Sequence, residues 1–444
     1  MGLVPLAVAL SLAVSLVGGC SVLQSGSSPT PTMTPSPDSV TGSLTPFGTL
    51  SDGTKIVLLS WNDLGMHCYT PDFSAVAVLP PYNNLYAQVV KVGRGDPRIL
   101  KSGFTVEYSF PENTYSVGSP GKPEKSNFWT YAEKLFGKKL APDIGLTGRG
   151  LTGTFDQKEN YFIAEGIPLT DINDSDATSK KLSPYQKARV VVKDSATGKE
   201  VAGLTVVTPV STEMRCDTCH SDAGKATKKG SIKPTGDVYL NILTLHDKLH
   251  AADFQKLGAK LLMDSRPVLC ASCHGSNALG APGTPGTSSL SNAMHKRHST
   301  EGIPATTEGC QNCHPGPETK CLRDVHEQTL HYQCPECHGD LAKVATNPQP
   351  WLNEPRCDTA ACHKNMTPAK IKQTKPLFRQ SKGMGGLMCE ACHDSTHALA
   401  KARTGNDNIK FEALQGDAGP LHRCAICHGK DKPDGQTSAH AQDD

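Results

Sequence analysis

Seven times this chain spells two cysteines with a histidine directly behind the second, and any fold must seat all seven. Six copies are Cys-x-x-Cys-His: Cys216/Cys219/His220, Cys270/Cys273/His274, Cys310/Cys313/His314, Cys334/Cys337/His338, Cys389/Cys392/His393 and Cys424/Cys427/His428. The fifth in chain order is longer, Cys357-Asp-Thr-Ala-Ala-Cys362-His363. Two thiols spaced along a helical turn can each form a thioether to a porphyrin vinyl group, and the next residue then offers its imidazole to the iron. The longer copy still spans both vinyls if its middle residues bulge outward. Zinc knuckles, dithiol redox sites and disulfide frameworks use related spacings. Zinc asks for four ligands, and these motifs are not grouped into paired Cys-x-x-Cys modules. A disulfide framework gives no reason for a histidine after every second cysteine. Seven covalently bound haem c groups account for the repeat, with His220, His274, His314, His338, His363, His393 and His428 as proximal ligands.

Across about residues 215–430 the chain resembles the multihaem c-type cytochromes, at every motif. The resemblance is to lipoprotein-type cytochromes of the envelope and outer surface in metal-reducing bacteria. It implies electron transfer to other cytochromes or redox proteins, metal oxides or other extracellular acceptors.

Ten histidines lie outside the motifs, and eight of them fall among the motifs: His246, His250, His295, His298, His326, His331, His397 and His422. Seven irons need up to seven second axial ligands, so these are the distal candidates. His246/His250 and His295/His298 are four and three residues apart, which puts each pair on one face of a helix and lets it serve two neighbouring haems. A second histidine makes the iron low-spin and closes it to substrate. Met214, Met294, Met384 and Met388 read as packing residues instead. His67, in Trp61-Asn62-Asp63-Leu64-Gly65-Met66-His67-Cys68, is a further ligand candidate from outside the motif region. Its neighbour Cys68 and the other non-motif thiol, Cys321, read alternatively as a disulfide. His440 lies in a polar tail and reads as free.

Residues 1–20 carry no charge and end Val17-Gly18-Gly19-Cys20, which reads as an export signal and resembles a bacterial lipobox, with Cys20 as the lipidated residue. The missing Lys or Arg before the apolar run departs from that pattern. The chain is therefore expected to be exported and held to the envelope by lipid. Residues 21–52 read as a flexible tether; 21 of the 30 residues at 21–50 are Ser, Thr, Pro or Gly. The formal protein charge is +2. Fourteen propionates would take this to about −12 with ferrous irons and about −5 with ferric irons. That sign disfavours nucleic acid as a partner and favours cationic proteins, metal ions or mineral surfaces.

The rest divides at about 213. Residues 53–213 hold no motif and read as a β-rich, sandwich-like domain, with strands at 55–60, 85–92, 104–110, 188–193 and 201–207. One helix stands out at 126–136, with Phe128, Trp129, Tyr131, Ala132, Leu135 and Phe136 on one side and Gly137 as its stop. Residues 214–430 read as a mainly-α or irregular heptahaem region with little strand, followed by a polar tail at 431–444. With about 31 residues per motif, the porphyrins must themselves form much of that region's core. Motif starts at 310, 334 and 357 predict the tightest run among haems three, four and five.

Two functions compete with a pure electron carrier. A reductase of a nitrogen or sulfur oxyanion needs one open iron, whereas every motif here ends in His and distal candidates outnumber irons. A binding role for the β-rich region, toward a partner, polysaccharide or mineral, is compatible with electron transfer. A haem filament, with distal ligands crossing between copies, fits poorly with a lipid anchor.

Overall fold

The run Lys-Ile-Val-Leu-Leu-Ser-Trp at 55–61 decides how the β-rich half is built. Every residue after the lysine is buried. Ile56 and Leu58 enter one core, while Val57, Leu59 and Trp61 enter another. Alternate side chains of a strand point to opposite faces, so a strand with no wet face must be covered on both sides. A second sheet covers one side and the motif-bearing half covers the other.

The computed structural model describes residues 44–95, 97–347, 349, 351–359 and 373–431. In chain order its strands are β1 (Phe47–Thr49), β2 (Lys55–Trp61), β3 (His67–Cys68), β4 (Val76–Ala77), β5 (Asn83–Lys91), β6 (Arg98–Leu100) and β7 (Phe104–Ser109). They continue as β8 (Thr152–Thr154), β9 (Asp156–Gln157), β10 (Phe162–Ile167), β11 (Tyr185–Asp194), β12 (Glu200–Ser211) and β13 (Val268–Leu269). One sheet runs β1-β2-β5-β10-β9, with β6 also on β5; the other runs β3-β12-β11-β7-β8. Leu58, Leu85 and Val89 of the first sheet share a core with Val106, Val190, Leu204 and Val206 of the second, so the sheets pack face to face.

The mainly-β first half and the helical, strand-poor second half agree with the fold class read from sequence. All five expected strands are present, each shifted or extended by a few residues. The helix is present as α1 (Phe128–Phe136); Gly137 ends it at φ 66°, donating its N–H to the Glu133 carbonyl at 2.9 Å. One boundary is corrected. Phe47–Thr49 lies inside the stretch read as tether, yet it pairs with β2. Gly48 also lets this strand lie close against β12, since a Cβ there would stand 2.0 Å from the Val201 carbonyl oxygen.

In the second half the longer helices are α2 (Val238–Leu257), α3 (Leu290–His298) and α4 (Gly405–Gln415). The two halves share apolar cores. Leu387, Met388, Ala391, Leu414 and Ile426, in and around the sixth and seventh motifs, pack on the outer face of the first sheet. β13, directly before Cys270, pairs in parallel with β4. Among the described residues no helix is long and apolar enough to cross a membrane. Cys20 and the leader, the tether up to 43, Cys362, His363 and His440 lie outside the described residues.

Candidate metal centres

Six of the motifs close on themselves in one turn. The histidine N–H bonds the carbonyl of the first cysteine in four of them: His220 to Cys216 at 2.9 Å, His274 to Cys270 at 3.0 Å, His314 to Cys310 at 3.0 Å and His428 to Cys424 at 2.9 Å. In the same four the second cysteine also bonds that carbonyl through its own N–H, from Cys219 at 3.2 Å, Cys273 at 3.3 Å, Cys313 at 3.1 Å and Cys427 at 3.3 Å. In the fourth and sixth motifs the whole pentapeptide is helical, Cys334–His338 and Cys389–His393, which carries Cys337 and Cys392 on the turn. This turn gathers both thiols and the imidazole within one short segment, as the spacing requires.

The two cysteines of a motif are not equally placed. Cys273, Cys313 and Cys337 are exposed, whereas Cys270, Cys310 and Cys334 are half-buried. Cys219 is half-buried like its partner Cys216, and its carbonyl oxygen would stand only 2.2 Å from a Cβ at Gly224. None of the described cysteines is in a disulfide. Among the described residues no group of three or more His, Cys, Asp or Glu side chains is placed to hold a metal ion.

The motif histidines meet the others in pairs. His220 faces His298 with ring centroids 6.3 Å apart, His274 faces His246 at 6.3 Å, His314 faces His295 at 6.1 Å and His338 faces His397 at 6.1 Å. Direct ring contact would bring such centroids closer; His246 and His250, on the same helix, lie 4.8 Å apart. A metal held between two imidazoles, at about 2 Å from each ligating nitrogen, sets their ring centres about 6 Å apart. The four pairs fit that donor geometry, with two protein ligands each. Further, Nδ1 of His274, His295 and His298 each bonds a backbone carbonyl, of Ser288 at 2.9 Å, Ser291 at 2.8 Å and Met294 at 2.7 Å. A proton on Nδ1 leaves Nε2 bare, the arrangement usual for a metal-bound histidine.

α3 supplies two of these partners. His295 and His298 reach different motif histidines, in line with their three-residue spacing. On α2 the expected sharing is not seen: His246 faces His274, but His250 bonds Asp253 at 3.0 Å and is half exposed. His326 bonds Asp324 at 3.0 Å and stacks on Tyr332. His331 caps a short helix at φ 54°, and His422 bonds the Pro420 carbonyl at 3.1 Å.

The segment around His67 has partners of its own. His67 is buried with Nε2 2.9 Å from Asp63 Oδ1, and Asn84 bonds the other Asp63 oxygen at 3.0 Å. Cys68 and Cys321 are both free thiols in the structure; Cys321 acts electrostatically on Cys68, and its Sγ lies 4.0 Å from His397 Nδ1. Met388 packs in the core beneath the sixth motif.

Electrostatics separate the readings of the motifs. His314 and His338 keep part of their surface open to solvent, but the protein crowded around their rings still disfavours charge. Desolvation lowers both, and His220 with them, to about 4, so these imidazoles are neutral and able to ligate at neutral pH. Burial disfavours charge on His397 too, but the Cys321 sulfur and nearby Asp324 outweigh it and raise this ring to about 9, so it must give up a proton before its Nε2 can ligate. Burial pushes the thiols of Cys216, Cys270 and Cys392 up to about 11, the opposite of a poised dithiol nucleophile.

The thiols also reveal which motifs are neighbours. Cys313 is raised by desolvation and then by Cys219, which sets the third motif beside the first. Cys334 is lowered, chiefly by its contact with the Cys310 thiol, and that contact joins the third and fourth motifs. These two belong to the run that spacing marks as tightest. The expected third member, the fifth motif, lies largely outside the described residues, but Cys357 acts electrostatically on Cys389 of the sixth.

No known protein family matches the chain, and neither a curated protein nor a solved structure matches it.

Proposed function

We propose that the chain is a heptahaem c-type cytochrome that carries electrons along closely spaced, mostly bis-histidine haems in the cell envelope or at its outer surface. The observation that carries this reading is the set of four histidine pairs at 6.1–6.3 Å, each joining a motif histidine to one outside the motifs. When bound, each haem supplies a one-electron ferric–ferrous couple. The protein's part is to tether, ligate and space. The motif cysteines fix each macrocycle by two bonds, and the paired imidazoles hold the iron on both sides. Exposure of Cys273, Cys313 and Cys337 suits this role, because a thiol that must meet a vinyl group has to be reachable from outside the turn.

Spacing follows from which segments serve which motif. His295 and His298, three residues apart on α3, bind the third and first sites. Contact between Cys310 and Cys334 brings the third and fourth sites together. His397 serves the fourth site while lying four residues after His393 of the sixth. The Leu421 N–H bonds the Cys392 carbonyl at 2.9 Å, drawing the seventh motif to the sixth. Among the described motifs these links run from the first through the third and fourth to the sixth and seventh. Export, lipid attachment at Cys20 and redox-protein or mineral partners complete the proposal from sequence.

Electron paramagnetic resonance of the oxidised holoprotein tests it. Low-spin signals from all seven irons are expected. A high-spin signal from one iron would move the function to the oxyanion reductase.

A further inference from the structure

One thiol outside the motifs sits against a proposed iron ligand, and the segment carrying it is unusually well anchored. His397 has φ 71°, a backbone conformation that a non-glycine residue keeps only where its surroundings enforce it. The enforcement comes from 321–325. The Arg323 N–H bonds the His397 carbonyl at 2.9 Å, and the Val325 N–H bonds the Leu399 carbonyl at 3.3 Å. Arg323 is fully buried; its guanidinium grips Asp407 through two bonds of 2.7 Å. Its third nitrogen donates to the Cys321 carbonyl at 3.1 Å, fixing the backbone that presents the sulfur. Cys321 Sγ then lies 4.0 Å from His397 Nδ1, while the same ring faces His338.

We propose that Cys321 is the positioning residue for His397. Its sulfur accepts the Nδ1–H, turns Nε2 toward the fourth site and enriches the imidazole there. The inference rests on the haem reading above. A better proton acceptor behind a ligating imidazole makes it a stronger donor, which favours the ferric state and lowers the potential. A carboxylate or backbone carbonyl usually fills this place; here a thiol does.

The test uses the purified holoprotein with haem count, paramagnetic resonance and a redox titration read together. In Cys321→Ala one low-spin signal should change its g-values and one midpoint should rise, with six sites unmoved and seven haems retained. Cys321→Ser, which keeps an acceptor but on a shorter reach, should give a smaller rise at the same site. Cys68→Ala should leave all seven potentials where they were. Unchanged signals and midpoints in both Cys321 variants would overturn the proposal, as would a Cys68–Cys321 disulfide found by thiol mapping of the wild type. Should the wild type itself carry no haem, the functional reading fails first and is recognised by that count alone.

Discussion

Glu390 lies between the two thiols of the sixth motif and is fully buried. The Trp61 indole N–H donates to one of its oxygens at 2.9 Å, while the other has no hydrogen-bond partner. Burial, reinforced by the negative Asp63, holds its proton well above the usual carboxylate range. The sign of the linkage follows. Above the unfolded value near 4.5 the unfolded chain sheds this proton while the folded one keeps it, so Glu390 makes stability fall as pH rises. Thermal melts of Glu390→Gln should therefore match wild type near pH 4 and exceed it at pH 8; a variant less stable than wild type at pH 8 contradicts the assignment. The ligand histidines give a second expectation. His295→Ala and His298→Ala should each convert one iron, and not the same one, from low-spin to high-spin in paramagnetic resonance. Arg323→Ala leaves Asp407 buried without its partner and should cost about 3–5 kcal/mol in a denaturant titration.

Among the elements, β2 joins the two halves because both of its faces are buried. Leu58→Ala and Leu59→Ala should each lose about 2–5 kcal/mol by chemical denaturation. Only Leu59→Ala should also disturb the visible spectrum, since Leu59 shares its core with Leu387, Met388 and Ala391 of the sixth motif. An equal spectral change in both variants would contradict the two-core arrangement. Much of this half could be read from sequence. Continuous or alternating apolar runs marked five of the six longest strands, and the aromatic stripe with Gly137 marked α1. β10 escaped because Gly166, at φ 81° beside a register shift between Glu165 and Ile167, breaks its period. β1 escaped because its three residues lie in a Ser/Thr/Pro-rich context. In the second half every motif could be read, yet His397 could not be assigned to His338, because tertiary folding and not spacing brings them together. The unequal exposure of Cys270 and Cys273, or of Cys334 and Cys337, was equally invisible, since it depends on which side of the turn meets the rest of the chain.

Taken as one body, the motif-bearing half has mostly short helices and few large buried apolar side chains of its own, apart from those it lays against the first sheet. Seven macrocycles would supply the missing apolar volume, so folding and cofactor attachment should be a single event. The direct measurement is intact-protein mass together with a pyridine haemochrome spectrum, taken on denatured, exported protein. Seven covalently retained haems per chain are predicted, with no titratable thiol among the fourteen motif cysteines. A colourless polypeptide at its bare mass, with those thiols free, would contradict the haem reading.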